Sequence, residues 1–204
     1  MKYRNITISG LPGSGSTTLL HLLRSHLESE GWKGFSGGEF MRAYAIEKGI
    51  FRPESGTHHD AGHYDDAFDN QVDMGMREKL QREEKWILES WLSGFLAQGV
   101  NGVLKVLMRC SDDAVRIDRV VNRDQVTVEH AKKNMHDRYA ANLTKWSRLY
   151  KEEWNEWVVK PGKVKKTDPI DFWRQDLYDL VIDTYSSNKD ETLHKVLRVL
   201  EPTR

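Results

Sequence analysis

Cysteine is almost absent from this chain: Cys110 is the single cysteine in 204 residues, so no internal disulfide can form. No apolar run approaches the roughly 20 residues that a membrane-spanning helix requires. The N-terminus also lacks the basic start and long apolar region of a signal peptide. These absences predict a cytoplasmic protein of a reducing compartment, with no membrane partner.

An excess of charge of either sign is also missing, because 31 lysines and arginines balance 31 aspartates and glutamates. A chain of zero net charge has no overall field that attracts nucleic acid, so we expect no nucleic-acid partner. Any anion-binding site must come from a local patch. The length suits one domain with a substantial core, which we expect to be a monomer or a homodimer.

What the sequence does contain is an alternation of strand and helix patterns. Short apolar or β-branched runs occur in "YRNITIS", "KGFS", "KWILES", "VLKVLMRC" and "YDLVIDT", with helical spacing of leucines and other apolar residues between them. This alternation predicts an α/β fold with a five-stranded parallel sheet flanked by helices. We further predict one long helix over about residues 128–157, then a surface loop over 158–173 that contains Pro161, Gly162 and Pro169.

The segment "GLPGSGST" joins the first predicted strand to the first predicted helix. Its three glycines permit the tight turn and the close backbone approach that a phosphate-binding P-loop needs. The P-loop pattern G-x-x-x-x-G-K-[ST] is met except at Ser16, where the pattern has lysine, and Thr17 is predicted to offer a hydroxyl to Mg²⁺. The residues predicted to bind the phosphates of ATP or GTP are Gly10, Gly13, Ser14, Gly15, Ser16, Thr17 and Thr18.

Four further segments resemble, in order and spacing, the archaeal-type cytidylate kinases, which are P-loop nucleoside monophosphate kinases. They are "FSGGEFMR", "FDNQVD", "ILESWLSGFLA" and "LYDLVIDT", and the resemblance extends from Ile6 to Leu200. It implies a single P-loop NTPase domain with a monophosphate-binding insert over about residues 37–80 and a short lid over about 116–140. The reaction that it implies transfers the γ-phosphate of ATP to CMP or dCMP with Mg²⁺, so the expected partners are small-molecule nucleotides.

The resemblance also implies roles for individual residues. Arg42 would hold the acceptor phosphate as a bidentate donor, and Glu89, at the end of a strand, would hold Mg²⁺ through water. Asp69 and Asp73 match the two acids of the family's D-x-x-[IL]-D pattern, while Trp91 occupies a position where the family usually has an arginine. The predicted acceptor-binding residues are Ser36, Gly37, Gly38, Arg42, Asp69, Asp73 and Trp91.

Ser16 and Trp91 both remove positive charge from the expected phosphate track, although phosphoryl transfer depends on neutralising the transferred group. The arginines of "RIDRVVNRD" recur at three- and four-residue spacing, so they lie on neighbouring parts of one helix face. We predict that Arg116, Arg119 and Arg123 point inward together; an ordinary basic surface stripe is the alternative. The predicted catalytic residues are Arg119, Arg123, Arg138 and Glu89.

Two other functions remain open at this stage. The loss of the loop lysine is compatible with a catalytically weak nucleotide-binding regulatory protein of the same fold. The departures in the acceptor site are compatible with a kinase of another small metabolite. A histidine-rich segment, "THHDAGHYDD", places His58, His59 and His63 near acids, but its spacing matches no recognised metal-ligand pattern, so metal binding is the less favoured interpretation.

Overall fold

The computed structural model describes residues 2–47 and 65–201, in which helices cover both faces of a five-stranded parallel sheet. The strand order is β2-β3-β1-β4-β5, so the first strand of the chain lies at the centre. Because all four strand pairs are parallel, the carboxyl ends of the strands meet at one edge of the sheet. The predicted fold class is therefore confirmed. The strands are β1 (Asn5–Gly10), β2 (Lys33–Ser36), β3 (Trp86–Glu89), β4 (Val103–Arg109) and β5 (Leu180–Asp183).

The helices alternate with the strands along the chain, as the sequence pattern predicts. In the described ranges none of them is both long and apolar enough to cross a membrane. The helices are α1 (Ser16–Leu27), α2 (Gly37–Glu47), α3 (Asp66–Arg82), α4 (Ser93–Leu96), α5 (Asp113–Asp124), α6 (Val128–Leu149), α7 (Lys151–Trp154) and α8 (Lys189–Leu200).

The apolar residues of the strands divide between two cores because successive side chains of a strand point to opposite faces of the sheet. In β3, Ile87 packs with the leucines of α1 and α8 on one face, while the next residue, Leu88, packs against α3 and α4 on the other. In β4, Val106 and Leu107 alternate in the same way. Burial on both faces explains why these strands are almost continuously apolar in sequence.

The helix predicted over 128–157 is interrupted, so that prediction is wrong in its length. The α-helix ends at Leu149, Tyr150 leaves helical geometry with φ −108° and ψ 26°, and a short helix and a π-helical turn over Asn155–Val159 follow. The Tyr150 side chain is fully buried, 6.1 Å from the ring of Phe95, and its hydroxyl donates a hydrogen bond to Asp73. Tertiary contacts, which helix propensity does not take into account, therefore stabilise the interruption of the helix at Tyr150.

The segment 158–173, predicted as a surface loop, is irregular but belongs partly to the core. Phe172 is fully buried and Val164 is 8% exposed, and both join the aromatic and aliphatic cluster beneath α3 and α4. The ring of Phe172 lies 4.7 Å from that of Phe95. Proline and glycine in the sequence correctly indicate the absence of regular structure, but they carry no information about the burial of the apolar residues between them.

Candidate active site

The loop between β1 and α1 has the backbone geometry of a phosphate-binding loop. Gly13 and Gly15 adopt left-handed conformations, with φ of 82° and 88°, that favour glycine. Gly15 is the N-cap of α1 and makes no side-chain cap, whereas Asp112, Thr127 and Asn188 cap the helices that follow them. The first N–H groups of α1 therefore stay available to an anion.

The same loop contains a buried hydroxyl, that of Ser14. Ser14 is 2% exposed, and its Oγ has no hydrogen-bond partner among the described residues. Ser14 is the one predicted loop residue that is absent from the wall of the cavity above the loop. The uncapped N-terminus of α1 is therefore the feature of this loop that fits the phosphates of a nucleotide.

Glu89 is the centre of a hydrogen-bonded cluster at the carboxyl edge of the sheet. Its side chain accepts hydrogen bonds from Ser16 Oγ at 2.8 Å, from Ser36 Oγ at 2.6 Å and from Thr17 Oγ1 at 3.5 Å. Ser36 ends β2 directly beside Glu89 in the sheet register. Burial raises the pKa of the Glu89 carboxyl, and the hydrogen bonds from Ser36 and Ser16 oppose that rise.

Ser16, which stands where a P-loop has lysine, is 7% exposed and directs its hydroxyl to Glu89 rather than to solvent. Thr17 is partly exposed and contacts the same carboxyl. Two hydroxyls therefore meet one acid at the start of α1, and the loop itself supplies no side-chain cation. Any positive charge for bound phosphate has to come from other segments.

Of the three arginines predicted to point inward together, Arg119 and Arg123 line the cavity that opens over the P-loop and Arg116 does not, and each of the three has its own partner. Arg119 donates to the carbonyl oxygen of Gly13 at 3.1 Å and to Oγ1 and the carbonyl oxygen of Thr184 at 2.7 and 2.9 Å. It therefore ties the P-loop to the segment after β5. Arg123 forms a bidentate pair with its neighbour Asp124, at 2.6 and 2.8 Å, and Arg116 pairs with Asp113 at 3.2 Å.

A large cavity of about 880 Å³ opens over the P-loop. Arg42 from α2 and Arg138 from α6 line it together with Arg119 and Arg123. The Nε of Arg42 is buried and has no hydrogen-bond partner within the described residues. Although the loop lacks its lysine, four arginines from three helices therefore face the space above it. The predicted loop residues that line this cavity are Gly10, Gly13, Gly15, Ser16, Thr17 and Thr18, with Ser36, Gly38 and Glu89.

A small cavity of about 120 Å³ lies beside the large one, between α3 and α6. Gly37, Met41, Val72, Met76 and Leu92 contribute to its wall, which is more apolar than that of the large cavity. Four residues belong to the walls of both cavities, so the two spaces adjoin. The shared residues are Gly38, Ser90, Trp91 and Arg138.

Asp69 and Asp73 both line the small cavity, but each already has a partner. Lys145 Nζ lies 2.8 Å from an oxygen of Asp69, and the Tyr150 hydroxyl donates to Asp73 at 2.6 Å. Burial raises the pKa of Asp73 to about 7, with a smaller contribution from the charge of Asp69. Burial also raises the pKa of Asp69, against the hydrogen bond and charge of Lys145.

Trp91 has an aromatic environment that its sequence position did not indicate. Its ring makes edge contacts with Trp146 and Trp173, at centroid distances of 5.7 and 6.1 Å. The guanidinium carbon of Arg138 lies 5.4 Å from the Trp91 centroid, within the range of a cation–π contact. Trp91 therefore helps to position an arginine at the shared wall, and its predicted role in acceptor binding stays a prediction.

The sequence interpretation missed two residues of the small cavity, Asn142 and Trp146. Both follow Arg138 at four-residue spacing on α6, and that spacing places side chains on one helix face. Extending the helix face from Arg138 would have found them. The histidine-rich segment with His58, His59 and His63 lies outside the described residues, and within residues 2–47 and 65–201 no group of three or more potential ligands is arranged to hold a metal.

A P-loop at the end of the central strand of a parallel sheet, with a second cavity alongside it, defines the class of P-loop proteins. A family model described as "AAA domain" matches residues 6–141. A gluconokinase from Sinorhizobium meliloti has a similar structure, with a TM-score of 0.52 over 98% of this chain and 92% of that chain; at 13% identity this likeness shows the fold alone.

Relatives similar in sequence identify the family within that class. A cytidylate kinase of Methanosarcina barkeri is 31% identical over 189 residues, covering 92% of this chain and 91% of the relative. A cytidylate kinase of Methanopyrus kandleri is 30% identical over 97% of this chain and 93% of its own length. The chain belongs to the archaeal cytidylate kinase family, and the resemblance noted in the sequence is confirmed.

The raised pKa of Asp73 leads to a testable pH dependence of stability. Because an unfolded aspartate ionises near pH 4, the unfolded state gains free energy from ionisation as the pH rises, while folded Asp73 stays protonated until about pH 7. The Asp73 contribution to stability is therefore complete below about pH 4 and is lost as the pH rises through 7. Between pH 5 and pH 8 it falls by about 3 kcal/mol.

We expect the Asp73→Asn variant to show no such decrease in the free energy of unfolding. Its carboxamide oxygen can still accept the hydrogen bond from Tyr150. Urea unfolding of both proteins at pH 5 and pH 8 measures the difference. Glu89 titrates in both proteins, so the difference isolates the titration of Asp73 together with its coupling to Asp69. An identical decline in the free energy of unfolding would show that Asp73 is ionised throughout this range.

Proposed function

We propose that this protein is a Mg²⁺-dependent nucleoside monophosphate kinase that transfers the γ-phosphate of ATP to a pyrimidine monophosphate, CMP or dCMP. The observation that carries this proposal is the shared wall of the two cavities, to which Trp91 and Arg138 belong. A phosphoryl donor in one cavity and an acceptor in the other are then adjacent, as direct transfer between them requires.

The large cavity suits a nucleoside triphosphate. Its floor offers the uncapped amides of α1 and the left-handed backbone of Gly13 and Gly15, and it is the larger space by far, at about 880 against 120 Å³. Backbone donors at a helix N-terminus bind phosphate without a lysine. Arg119 contributes by holding the loop through the Gly13 carbonyl, so its role is to position the loop. GTP would fit the same donors, and the assay below includes it.

The residues suited to Mg²⁺ are Thr17 and Glu89, with Ser16 as a further hydroxyl. Magnesium prefers oxygen ligands and is commonly bound by few protein groups with retained waters, which suits one hydroxyl and one carboxylate at this position. When bound, Mg²⁺ neutralises charge on the β- and γ-phosphates. Glu89 ends a strand and is 5% exposed, so it is held in place by the sheet and by the hydroxyl of Ser36.

The small cavity suits a single aromatic ring. A protein cavity of about 150 Å³ accommodates benzene, so the volume of about 120 Å³ is the size of one ring rather than two. Its wall combines Trp91 and Trp146 with the acids Asp69 and Asp73, so a planar ring with polar edges finds both apolar faces and hydrogen-bond partners. A pyrimidine fits this description better than a purine.

Arginines at the junction provide the positive charge that the loop lacks. Arg138 belongs to both walls, so its guanidinium is suited to the transferred phosphoryl group in the transition state. Arg42 also lines the large cavity and is suited to the phosphate of the acceptor. Arg123 lines the same cavity, but its bidentate pair with Asp124 makes it the weaker candidate.

The second candidate is a catalytically weak nucleotide-binding protein of the same fold. The observation that favours it is the hydrogen bond from Ser16 to Glu89, which fills the lysine position with a neutral group. In that case ATP would bind without being turned over. A kinase of another small metabolite is the third candidate, and it differs only in the occupant of the small cavity.

A coupled assay with all ribo- and deoxyribonucleoside monophosphates, with ATP or GTP as donor, tests the proposal. We expect turnover with CMP or dCMP, a strong requirement for Mg²⁺, and much lower kcat/KM with AMP and GMP because a purine exceeds the ring-sized cavity. Heat of ATP binding without turnover of any acceptor would support the nucleotide-binding candidate. Turnover confined to acceptors other than pyrimidine nucleotides would contradict the proposed substrate.

The Arg138→Ala variant tests the transition-state role of the shared wall. We expect kcat to fall about 100-fold or more, with the Kd for ATP changed less than about threefold, because charge stabilisation specific to the transition state affects kcat. Arg148→Ala is the matched control: Arg148 lies on the same helix, is exposed and pairs with Asp66, and is absent from both cavity walls. Equal kcat values for the two variants would show that Arg138 does not stabilise the transition state.

The Ser16→Lys variant tests whether position 16, where the P-loop pattern has lysine, faces the bound phosphates. If the loop faces phosphate as proposed, a lysine at this position places a cation beside the β- and γ-phosphates, and we expect the Kd for ATP·Mg²⁺ to decrease about tenfold and kcat to rise. Ser16→Ala removes the hydrogen bond to Glu89 without adding charge and serves as the control. Calorimetry that gives the same Kd for the parent and the lysine variant would show that position 16 does not face the phosphates.

A further inference from the structure

Helix α5 lies directly on the P-loop. A Cβ atom at Gly13 would come within 2.5 Å of the carbonyl oxygen of Arg116, so the backbone of α5 contacts the backbone of the loop. Three residues further along the helix, the side chain of Arg119 donates to the carbonyl oxygen of Gly13 at 3.1 Å. One backbone contact and one side-chain contact therefore fix how α5 lies over the site.

Arg123 extends from the same face of α5 as Arg119. It follows Arg119 by four residues, which places it about 6 Å further along the helix axis. Its side chain is 50% exposed and lines the large cavity. Because α5 is held on the loop next to this position, the backbone of Arg123 is fixed relative to the cavity. The freedom that remains to Arg123 is the rotation of its own side chain.

Asp124 restricts that rotation. Its carboxylate is 2% exposed and accepts two hydrogen bonds from Arg123, from Nε at 2.6 Å and from Nη2 at 2.8 Å. A guanidinium carries its N–H donors in a planar fork, and this side-on pair leaves the edge between Nη1 and Nη2 unused. Within residues 2–47 and 65–201 that edge makes no hydrogen bond. A phosphate can therefore bind there without breaking the pair.

The charge and the geometry of Asp124 have opposite consequences for a bound anion. A negative carboxylate repels the phosphates of a nucleotide, so its charge alone weakens their binding. A guanidinium that is already oriented loses less conformational entropy when it binds an anion, so the pairing strengthens it. Removal of the acid therefore tightens phosphate binding if charge dominates, and weakens it if orientation dominates.

We propose that Asp124 is a positioning residue for the phosphoryl donor: it orients Arg123 so that the Nη1–Nη2 edge binds phosphate oxygens of the nucleoside triphosphate in the large cavity. This inference rests on the proposed function, since it concerns the donor of the same site. A guanidinium held by a buried acid cannot follow the transferred group, so its contribution is to the affinity for the donor rather than to the transition state. The expected signature is a change in KM for ATP without a matching change in kcat.

The Asp124→Asn variant keeps the size of the side chain and accepts only one of the two hydrogen bonds. We expect the calorimetric Kd for ATP·Mg²⁺ and the KM for ATP to rise about fivefold or more, with kcat within about threefold of the parent. Asp118→Asn is the matched control, because it makes the same charge change on α5. Asp118 is exposed, accepts from Asn122 and is absent from both cavity walls, so its Kd is expected to stay within about twofold of the parent.

A double-mutant cycle with Arg123→Ala separates positioning from a merely structural role. If Asp124 acts through Arg123, adding Asp124→Asn to Arg123→Ala changes the Kd for ATP·Mg²⁺ by less than about twofold. Thermal melts check the folding of each protein. The same weakening by Asp124→Asn with and without Arg123 overturns the inference, because the acid would then act by another route.

Arg123→Lys provides a test that leaves the buried acid in place. A lysine keeps the positive charge but has a single ammonium, which cannot bind Asp124 side-on and present a second edge to phosphate. We expect its Kd for ATP·Mg²⁺ to rise at least about threefold. A lysine variant that binds as tightly as the parent overturns the inference, even if Asp124→Asn fails to fold.

The outcomes separate this inference from the proposed function. An unchanged or tighter Kd for ATP·Mg²⁺ in Asp124→Asn overturns the inference and leaves the kinase proposal intact. Calorimetry needs no turnover, so a parent that binds ATP·Mg²⁺ but phosphorylates no monophosphate refutes the kinase proposal, while the Kd values still decide the role of Asp124. A parent that binds neither ATP·Mg²⁺ nor GTP·Mg²⁺ overturns both.

Discussion

The acceptance of three hydroxyl hydrogen bonds by one buried carboxyl holds the candidate site together. Glu89 ends β3, and its partners come from the start of α1 and from the end of β2, so the acid joins three segments that are distant in sequence. The parallel register places Ser36 directly beside it. Burial makes its charged form costly, and the hydroxyls, with any bound cation, offset that cost.

Around Glu89, the positively charged side chains of the site belong to helices and not to the P-loop. The loop supplies backbone N–H groups and hydroxyls, while guanidinium groups enter from α2, α5 and α6. Of these, Arg119 fixes the loop itself through Gly13 and Thr184, and Arg138 stands where the two cavities meet. A lysine on the loop is one way to bring a cation to phosphate, and arginines on surrounding helices are another. In the proposed function, these arginines take that role for a P-loop with serine at position 16.

The break of the helix at Tyr150 connects the core to the small cavity. The ring of Tyr150 packs against Phe95 in the core, and its hydroxyl reaches Asp73 at the cavity wall. The same residue therefore ends α6, fills the core and sets the environment of an acid beside the proposed base site. A change in that packing is expected to displace the wall of the small cavity, because a closely packed interior transmits displacement rather than absorbing it.

The sequence alone determined the five strands, the parallel sheet, the P-loop and the family, because these depend on local apolar patterns, glycine spacing and ordered motifs. Tertiary structure decided which side chains of the site find partners in distant segments: Arg119 donates to Gly13 and Thr184, and Tyr150, where α6 ends, donates to Asp73. It also placed Asn142 in the wall of the small cavity. Partner choice depends on which distant segments the fold brings within about 3 Å of one another, and no local pattern encodes that distance.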